Sequence, residues 1–239
     1  MPRFFVSNIS SDFVELDKEN SQHISKSLRM KKGEEITLCD MQGYDYKCTV
    51  EEFGENVLCK VLEKTKCLTE PSVNVTVYQA MPKMDKLELI VQKCVELGAV
   101  KIVPVLTSRC VSRPDEKSMK KKIERFQKIS LEASKQSGRG IVPKIENMLN
   151  FKEAIDCMSE DDIGIILYEG GGENLADMNL SSKKNISIFI GSEGGFDASE
   201  VEYAVGKGIK RIGLGARILR CETAPIASMA IIMNLTKNM

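Results

Sequence analysis

Apolar positions follow two different rhythms along the chain, and the change comes near residue 70. Before it they fall in short strand-length runs: Phe4–Val6, Glu35–Cys39, Tyr44–Phe53 and Val57–Leu62. Gly33, Asp40–Gly43 and Gly54–Asn56 bring turn residues between the runs. A short helix, about Gln22–Arg29, interrupts them. The pattern predicts a small β-barrel-like domain over residues 1–70, ending near Thr69-Glu70-Pro71-Ser72.

From residue 73 to 239 strands alternate with helices. Val73–Gln79 is a β-branched strand, and Asp85 with Glu88 fits a capping box that opens a helix. Leu87, Ile90, Val91, Cys94 and Leu97 keep the 3.6-residue period, and Gly98 ends that helix. Strand Ile102–Leu106 follows, then a long helix over 117–137 with Ile123, Phe126, Ile129 and Ala133 as its buried stripe. Strands Gly164–Tyr168, Ile186–Ile190 and Arg211–Leu214 come next. A second capping box, Asp197 with Glu200, starts helix 198–207, and a last helix covers about 224–237. Such alternation predicts an α/β domain built on a mostly parallel sheet.

Composition narrows the chemistry. In 239 residues there is one histidine, His23, so histidine-based triads have a single candidate, and it reads better as a helix-start or capping residue. Eight cysteines are scattered without Cys-x-x-Cys spacing, so no zinc site of the usual kinds and no metal is expected. No signal peptide and no membrane span is read, and a cytoplasmic protein with reduced thiols is expected.

The net charge of zero hides an uneven distribution. Residues 101–144 carry 12 Lys/Arg against 4 Asp/Glu, a block of +8. Lys117, Lys120, Lys121, Lys122, Arg125 and Lys128 make one helix face, and Arg109, Arg113, Lys135, Arg139 and Lys144 flank it. We take this block as a surface for a phosphate backbone rather than only a solvated face.

Eleven of the 17 glycines lie between residues 164 and 215, clustered at strand ends: Gly170–Gly172, Gly191 to Gly195, and Gly213 with Gly215. Three such clusters on successive strands predict a ligand pocket, because ligands of α/β sheets bind at carboxyl ends and glycine admits close backbone approach. No Walker loop is present, and Gly213-x-Gly215-x-x-Ile218 lacks the third glycine of a dinucleotide fingerprint. An adenosine-bearing molecule held by backbone groups therefore fits better than a polyphosphate, with a nicotinamide cofactor weakly supported.

Two motifs carry a resemblance. Ile190-Gly191-Ser192-Glu193-Gly194-Gly195-Phe196 with Glu200, and Leu214-Gly215-x-Arg217-Ile218-Leu219-Arg220-x-Glu222-Thr223-Ala224, resemble the paired signatures of SPOUT-class methyltransferases. More narrowly they are similar to the bacterial 16S rRNA uracil-N3 methyltransferase (RsmE-type) family. Met1–Val6, His23-Ile24 and Leu28–Met30 resemble that family's PUA-like RNA-binding domain. Lys93-Cys94-x-Glu96-Leu97-Gly98, Pro104, Arg109, Glu132-Ala133 and Gln136-Ser137-x-Arg139 match its central markers. Ser192 stands where proline is frequent, and Cys221 where threonine is common.

The resemblance implies a deep trefoil knot in the SPOUT α/β domain and S-adenosylmethionine bound there in a bent form. Leu167, Tyr168, Gly191, Glu193, Gly195, Leu214, Gly215, Ile218, Leu219, Thr223 and Ala224 would hold the cofactor. The reaction expected is methyl transfer to N3 of a uridine in 16S rRNA of the small ribosomal subunit. Arg220 is the expected electrostatic stabiliser, and Glu193 or Glu222 would take the proton or instead accept backbone N–H groups. Arg3, Arg29, Arg109, Arg113, Lys135 and Arg139 are the expected RNA contacts, although Arg29 could simply end its helix at the negative pole. The last helix is apolar nearly all round, so the domain core or a second subunit covers it, and the family implies a homodimer. The competing class is a non-catalytic RNA-binding or ribosome-assembly factor on the same scaffold.

Overall fold

The computed structural model describes residues 1–7 and 9–239, in two compact units. Unit 1 comprises Met1–Glu70 together with Ser134–Val142, and unit 2 comprises Pro71–Ala133 and Pro143–Met239.

In unit 1, β1 (Arg3–Phe5), β2 (Phe13–Glu15), β3 (Glu35–Cys39), β4 (Tyr44–Phe53) and β5 (Val57–Lys66) form one sheet in the order β1-β3-β4-β5-β2. All pairs are antiparallel except β1 with β3. Alternation in β4 puts Tyr46, Cys48 and Val50 into a core with Phe4, Leu16, Ile24, Ile36 and Leu38. The helix expected over about Gln22–Arg29 starts earlier. Asp17 caps α1 (Lys18–Gln22), accepting from the Asn20 N–H, and a π-type turn, His23–Ser27, continues it. His23 closes α1, and its ring meets Phe4 edge-on at 5.7 Å.

Unit 2 is built on β6 (Asn74–Ala80), α2 (Lys86–Glu96), β7 (Ala99–Leu106), α3 (Glu116–Ser137, whose end lies in unit 1), β8 (Lys144–Ile145) and β9 (Leu149–Asn150). It continues with α4 (Phe151–Met158), β10 (Ile163–Leu167), β11 (Glu173–Asn174), β12 (Asn185–Ile190), α5 (Ala198–Gly206), β13 (Lys210–Gly213) and α6 (Thr223–Leu235). The sheet order is β11-β13-β10-β12-β6-β7-β8, with β9 on β7, and every pair is parallel. Its central strands are buried along their length, as a sheet covered by helices requires. Phe189 stacks on Phe151 at 5.7 Å and meets Phe196 edge-on at 4.9 Å, tying α4 and the loop after β12 to the sheet.

Two local expectations are corrected. Asp85 does precede α2, but at φ −95° and ψ 16° it is not extended, and its side chain makes no cap bond. Glu88 turns instead to Arg125 of α3, at 2.8 Å. Helix α4 has no counterpart among the expected elements, although Asn150 and Glu153 close a full capping box at its start. The box at Asp197 and Glu200 forms as expected, and Gly98 ends α2 at φ +96°.

Candidate active site

Strands β13, β10 and β12 are neighbours in the sheet and run parallel, so their carboxyl ends come out side by side. The three glycine clusters follow those ends, and together they wall a cleft of about 710 Å³ that is open to solvent. Leu167 and Tyr168 line it from β10, with Glu169 and Gly171 beyond them. Gly191, Ser192, Gly195 and Phe196 line it from the loop after β12. Gly213 to Leu219, Cys221 and Ala224 complete it. Of the expected cofactor residues the fold thus brings Leu167, Tyr168, Gly191, Gly195, Leu214, Gly215, Ile218, Leu219 and Ala224 to one place. Glu193 and Thr223 stand outside this lining. Thr223 opens α6, exposed, with its N–H on the Arg220 carbonyl at 2.9 Å.

The loop after β12 is shaped by its glycines. The Gly195 N–H donates to the Ser192 carbonyl at 2.9 Å, with Gly195 at φ +65°. A Cβ on Gly191 would lie 3.0 Å from the Gly195 Cα, so the cleft wall here is backbone pressed against backbone. The buried Gln79, at the end of β6, holds the Gly191 carbonyl through Nε2 at 3.2 Å. Arg109 braces the loop from the other side, donating to the Gly194 carbonyl at 3.2 Å and to Asp197 at 3.2 Å. Gln79 was not among the expected residues; its one signal is an amide at the carboxyl end of a strand, beside the expected ligand edge of the sheet.

Beside the cleft, and sharing Glu169, Ser192, Gly195, Ile218, Leu219 and Cys221 with it, is a second recess that adds Lys86, Glu193 and Arg220. The Lys86 ammonium sits 3.0 Å from a Glu193 carboxylate oxygen and 3.1 Å from one of Glu222. Glu193 also accepts from the Lys83 N–H at 3.1 Å. Burial pushes the Glu193 carboxyl up, but Lys86 and backbone N–H groups outweigh it and leave it below the usual carboxylate range. For Glu222 burial is likewise outweighed, by backbone N–H, the Cys221 thiol and Lys86, and the result is also a lowered pKa. The two carboxylates raise the Lys86 ammonium in turn, so it stays charged. Burial pushes the Cys221 thiol up to about 12, so it remains a thiol and donates to Glu222 at 3.2 Å. Arg220 is exposed, and among the described residues no carboxylate pairs with it.

The arginines expected to meet RNA are placed very differently. Arg139 is buried, its side chain 3% exposed, and pairs with Glu70 at 2.7 Å. Arg3 donates to Asp45 at 2.7 Å and to the Arg139 carbonyl at 2.9 Å. These two hold unit 1 together and do not present their guanidinium groups outward. Arg113 is exposed but donates to the carbonyls of Thr107, Ser108 and Cys110, closing its own loop. Arg29 and Lys135 are exposed, as are Lys117, Lys120, Lys121 and Lys128 of α3.

A parallel sheet with a glycine-walled cleft at its carboxyl edge and an ionised carboxylate–lysine cluster beside it has the makings of a group-transfer enzyme, and known proteins define the class. Residues 69–233 match the profile of an RNA methyltransferase domain, and residues 16–62 that of an RNA methyltransferase PUA domain. The ribosomal RNA small subunit methyltransferase E of Bacillus subtilis (strain 168) is 32% identical over 250 residues, covering 99% of this chain and 98% of its own. Its counterpart from Mesomycoplasma hyopneumoniae (strain 232) is 34% identical, covering 95% and 96%. Among solved structures, a ribosomal RNA small subunit methyltransferase E from Neisseria gonorrhoeae bound to S-adenosyl methionine superposes with a TM-score of 0.86 at 31% identity, over 98% of each chain. The chain belongs to the ribosomal RNA small subunit methyltransferase E family.

Proposed function

We propose that this protein transfers a methyl group from S-adenosylmethionine to N3 of a uridine in 16S rRNA, acting in the cytoplasm as a symmetric dimer. The observation that carries the reading is the meeting of three glycine-rich turns at the ends of β13, β10 and β12, with Arg220, Glu193 and Glu222 alongside. The cleft suits the cofactor. Apolar side chains alternate with bare backbone along its lining, where an adenosine needs both. The threading of the last strands into a trefoil knot belongs to the same reading.

When bound, the cofactor supplies a methyl group on a positively charged sulfur. The uridine imino proton must leave before N3 can attack. Glu193 or Glu222, both with carboxyls held below the usual range, would accept it. Arg220, free of a carboxylate partner among the described residues, would face the carbonyl on which negative charge collects. The base has to leave its stack to reach this depth. Arg29 in unit 1 and Lys117, Lys120, Lys121 and Lys128 of α3 are exposed cations that would meet surrounding phosphates.

The test is incubation of rRNA and of small subunits with labelled cofactor, followed by nucleoside analysis. N3-methyluridine is expected. Binding of RNA with neither methyl transfer nor cofactor affinity would identify a non-catalytic assembly factor instead. Arg220→Ala should cut turnover by about 100-fold while cofactor affinity moves by less than about threefold. Equal losses in both would place this arginine in the cofactor wall.

A further inference from the structure

Three features around the start of α2 run against local stability. Met84 is 87% exposed and sits at φ +56°, a region that non-glycine residues avoid. Asp85 occupies the N-cap position without capping. Lys86, the first residue of the helix, places a cation at the positive pole of the helix dipole. Local rules broken together in this way mark segments held in place by something else.

What holds this one is visible. The Lys86 ammonium reaches across to the loop after β12 through Glu193 and to the loop before α6 through Glu222. It thereby links the two loops that carry the proposed reacting groups. An ammonium has three N–H donors. Two are taken by Glu193 and Glu222, while among the described residues the third finds only the Cys221 sulfur, at 3.8 Å. The recess that Lys86 lines also holds Arg220 and Glu193. It therefore presents two donors and one carboxylate acceptor.

We propose that Lys86 is a positioning residue for methyl transfer, clamping Glu193 and Glu222 at the recess and offering its remaining N–H to a base that carries an imino proton between two carbonyls. This rests on the function proposed above and deepens it. Uracil supplies acceptor, donor, acceptor along the edge that contains N3; Arg220, Glu193 and Lys86 supply the complement. Cytosine, with an amino group and no imino proton, would leave one of the recess donors facing a donor. In the step itself the N3–H bond breaks with its proton passing to a carboxylate. The N3 electron pair forms the new bond to the methyl carbon, and the carbon–sulfur bond breaks with its electrons staying on sulfur.

Lys86 thus acts on the two carboxylates as well as on the base, and the carboxylates give its removal a readout of its own. The groups facing Glu193 are Lys86 from α2, the Lys83 N–H before that helix, and Arg220, Cys221 and Glu169 across the recess, with Glu222 on the far side of Lys86. In Lys86→Met the carboxylates lose their cation and protonate at higher pH, by about one pH unit or more. Turnover should fall about 100-fold at neutral pH. The ratio of variant to wild-type rate should fall further as pH drops from 7 to 5. Cofactor affinity, measured by calorimetry in the absence of RNA, should stay within about threefold, because Lys86 lines the recess and not the cleft. Lys86→Arg, which keeps the charge, should recover much of the rate. A rate ratio that is flat with pH, or a loss of cofactor affinity as large as the loss of turnover, overturns the proposal. If the wild-type protein transfers no methyl group, the functional reading falls and takes this inference with it. Full activity in wild type and in Lys86→Met removes the inference and leaves the reading standing. Carboxyl NMR titration of Glu193 and Glu222 in the free protein gives a readout without turnover: both should titrate higher in Lys86→Met, and unchanged values count against the clamp.

Discussion

Arg139 and Glu70 show how a charged residue marked for one task by its sequence neighbourhood comes to serve another. Arg139 lies in a basic stretch, yet its guanidinium is buried against a carboxylate that is itself only 12% exposed. Glu70 also accepts the N–H groups of Gly140 and Ile141, at 2.8 and 3.0 Å. Through these bonds one side chain from the end of the first segment of unit 1 fixes the course of the second. Removing one member of such a pair leaves an uncompensated buried charge, at a cost of about 3–5 kcal/mol. Arg139→Met is therefore expected to lower the denaturation midpoint of the full chain strongly. Glu70→Gln should act more mildly, but the amides of Gly140 and Ile141 should exchange hydrogen markedly faster. Unchanged exchange at both amides would show that Glu70 does not hold this segment. Arg113 and Arg109 belong to the same lesson at the surface, since both are exposed and both have loop carbonyls as partners.

Among the secondary elements, the two Asp-x-x-Glu sequences separate pattern from structure. Asp197 is extended at φ −71° and ψ 147°, its carboxylate accepts from Ser199, and Glu200 reaches back to the Asp197 N–H. Asp85 has the same spacing to Glu88 but follows a residue in the left-handed region, and Glu88 is drawn away by Arg125. Asp197→Ala should destabilise the protein by about 1 kcal/mol, together with some loosening of Arg109. Asp85→Ala should change stability by only a few tenths of that, in the same denaturant titration. Equal effects would mean that spacing, not conformation, decides the cap. The strands that carry the cleft, and their glycine clusters, were legible because both signals are local: β-branched runs and turn residues. Helix α4 was not, since its box at Asn150 and Glu153 lies in an acidic stretch where charge masks the short apolar stripe of Ala154, Ile155 and Met158. Lys86 was illegible for a different reason. Its acidic neighbours in sequence, Asp85 and Glu88, are not its partners, and Glu193 and Glu222 reach it only through the order of strands in the sheet.

For the molecule as a whole the open face is that of α6. Its inner side is buried, with Pro225, Ser228, Met229, Ile232 and Met233 packed toward unit 2. Its other side keeps Ile226, Ala227, Ala230 and Ile231 half-exposed in one continuous stripe, of which Ile231 also packs against the unit 2 core. The packing of unit 2 therefore covers one half of this helix and part of the rest, and the proposed dimer would place a second copy against the stripe that stays half-exposed. In a two-fold interface the same stripe meets itself, so a charge placed on it is repeated opposite its own image. Ala230→Asp should then split the dimer without unfolding the monomer, because that side chain is half-exposed and is not one of those packed against the core. Light scattering should report about twice the 26.6 kDa chain mass for the wild type and the single-chain mass for the variant. Circular dichroism should be the same for both. A wild-type protein that is monomeric at micromolar concentration would sink the dimer, and an Ala230→Asp protein that remains a dimer would move the interface away from α6. The neighbouring loop from Leu214 to Arg220 joins β13 to this helix and walls the cleft. Separation of the proposed subunits is therefore expected to weaken cofactor binding as well, and titrating the cofactor against Ala230→Asp measures by how much.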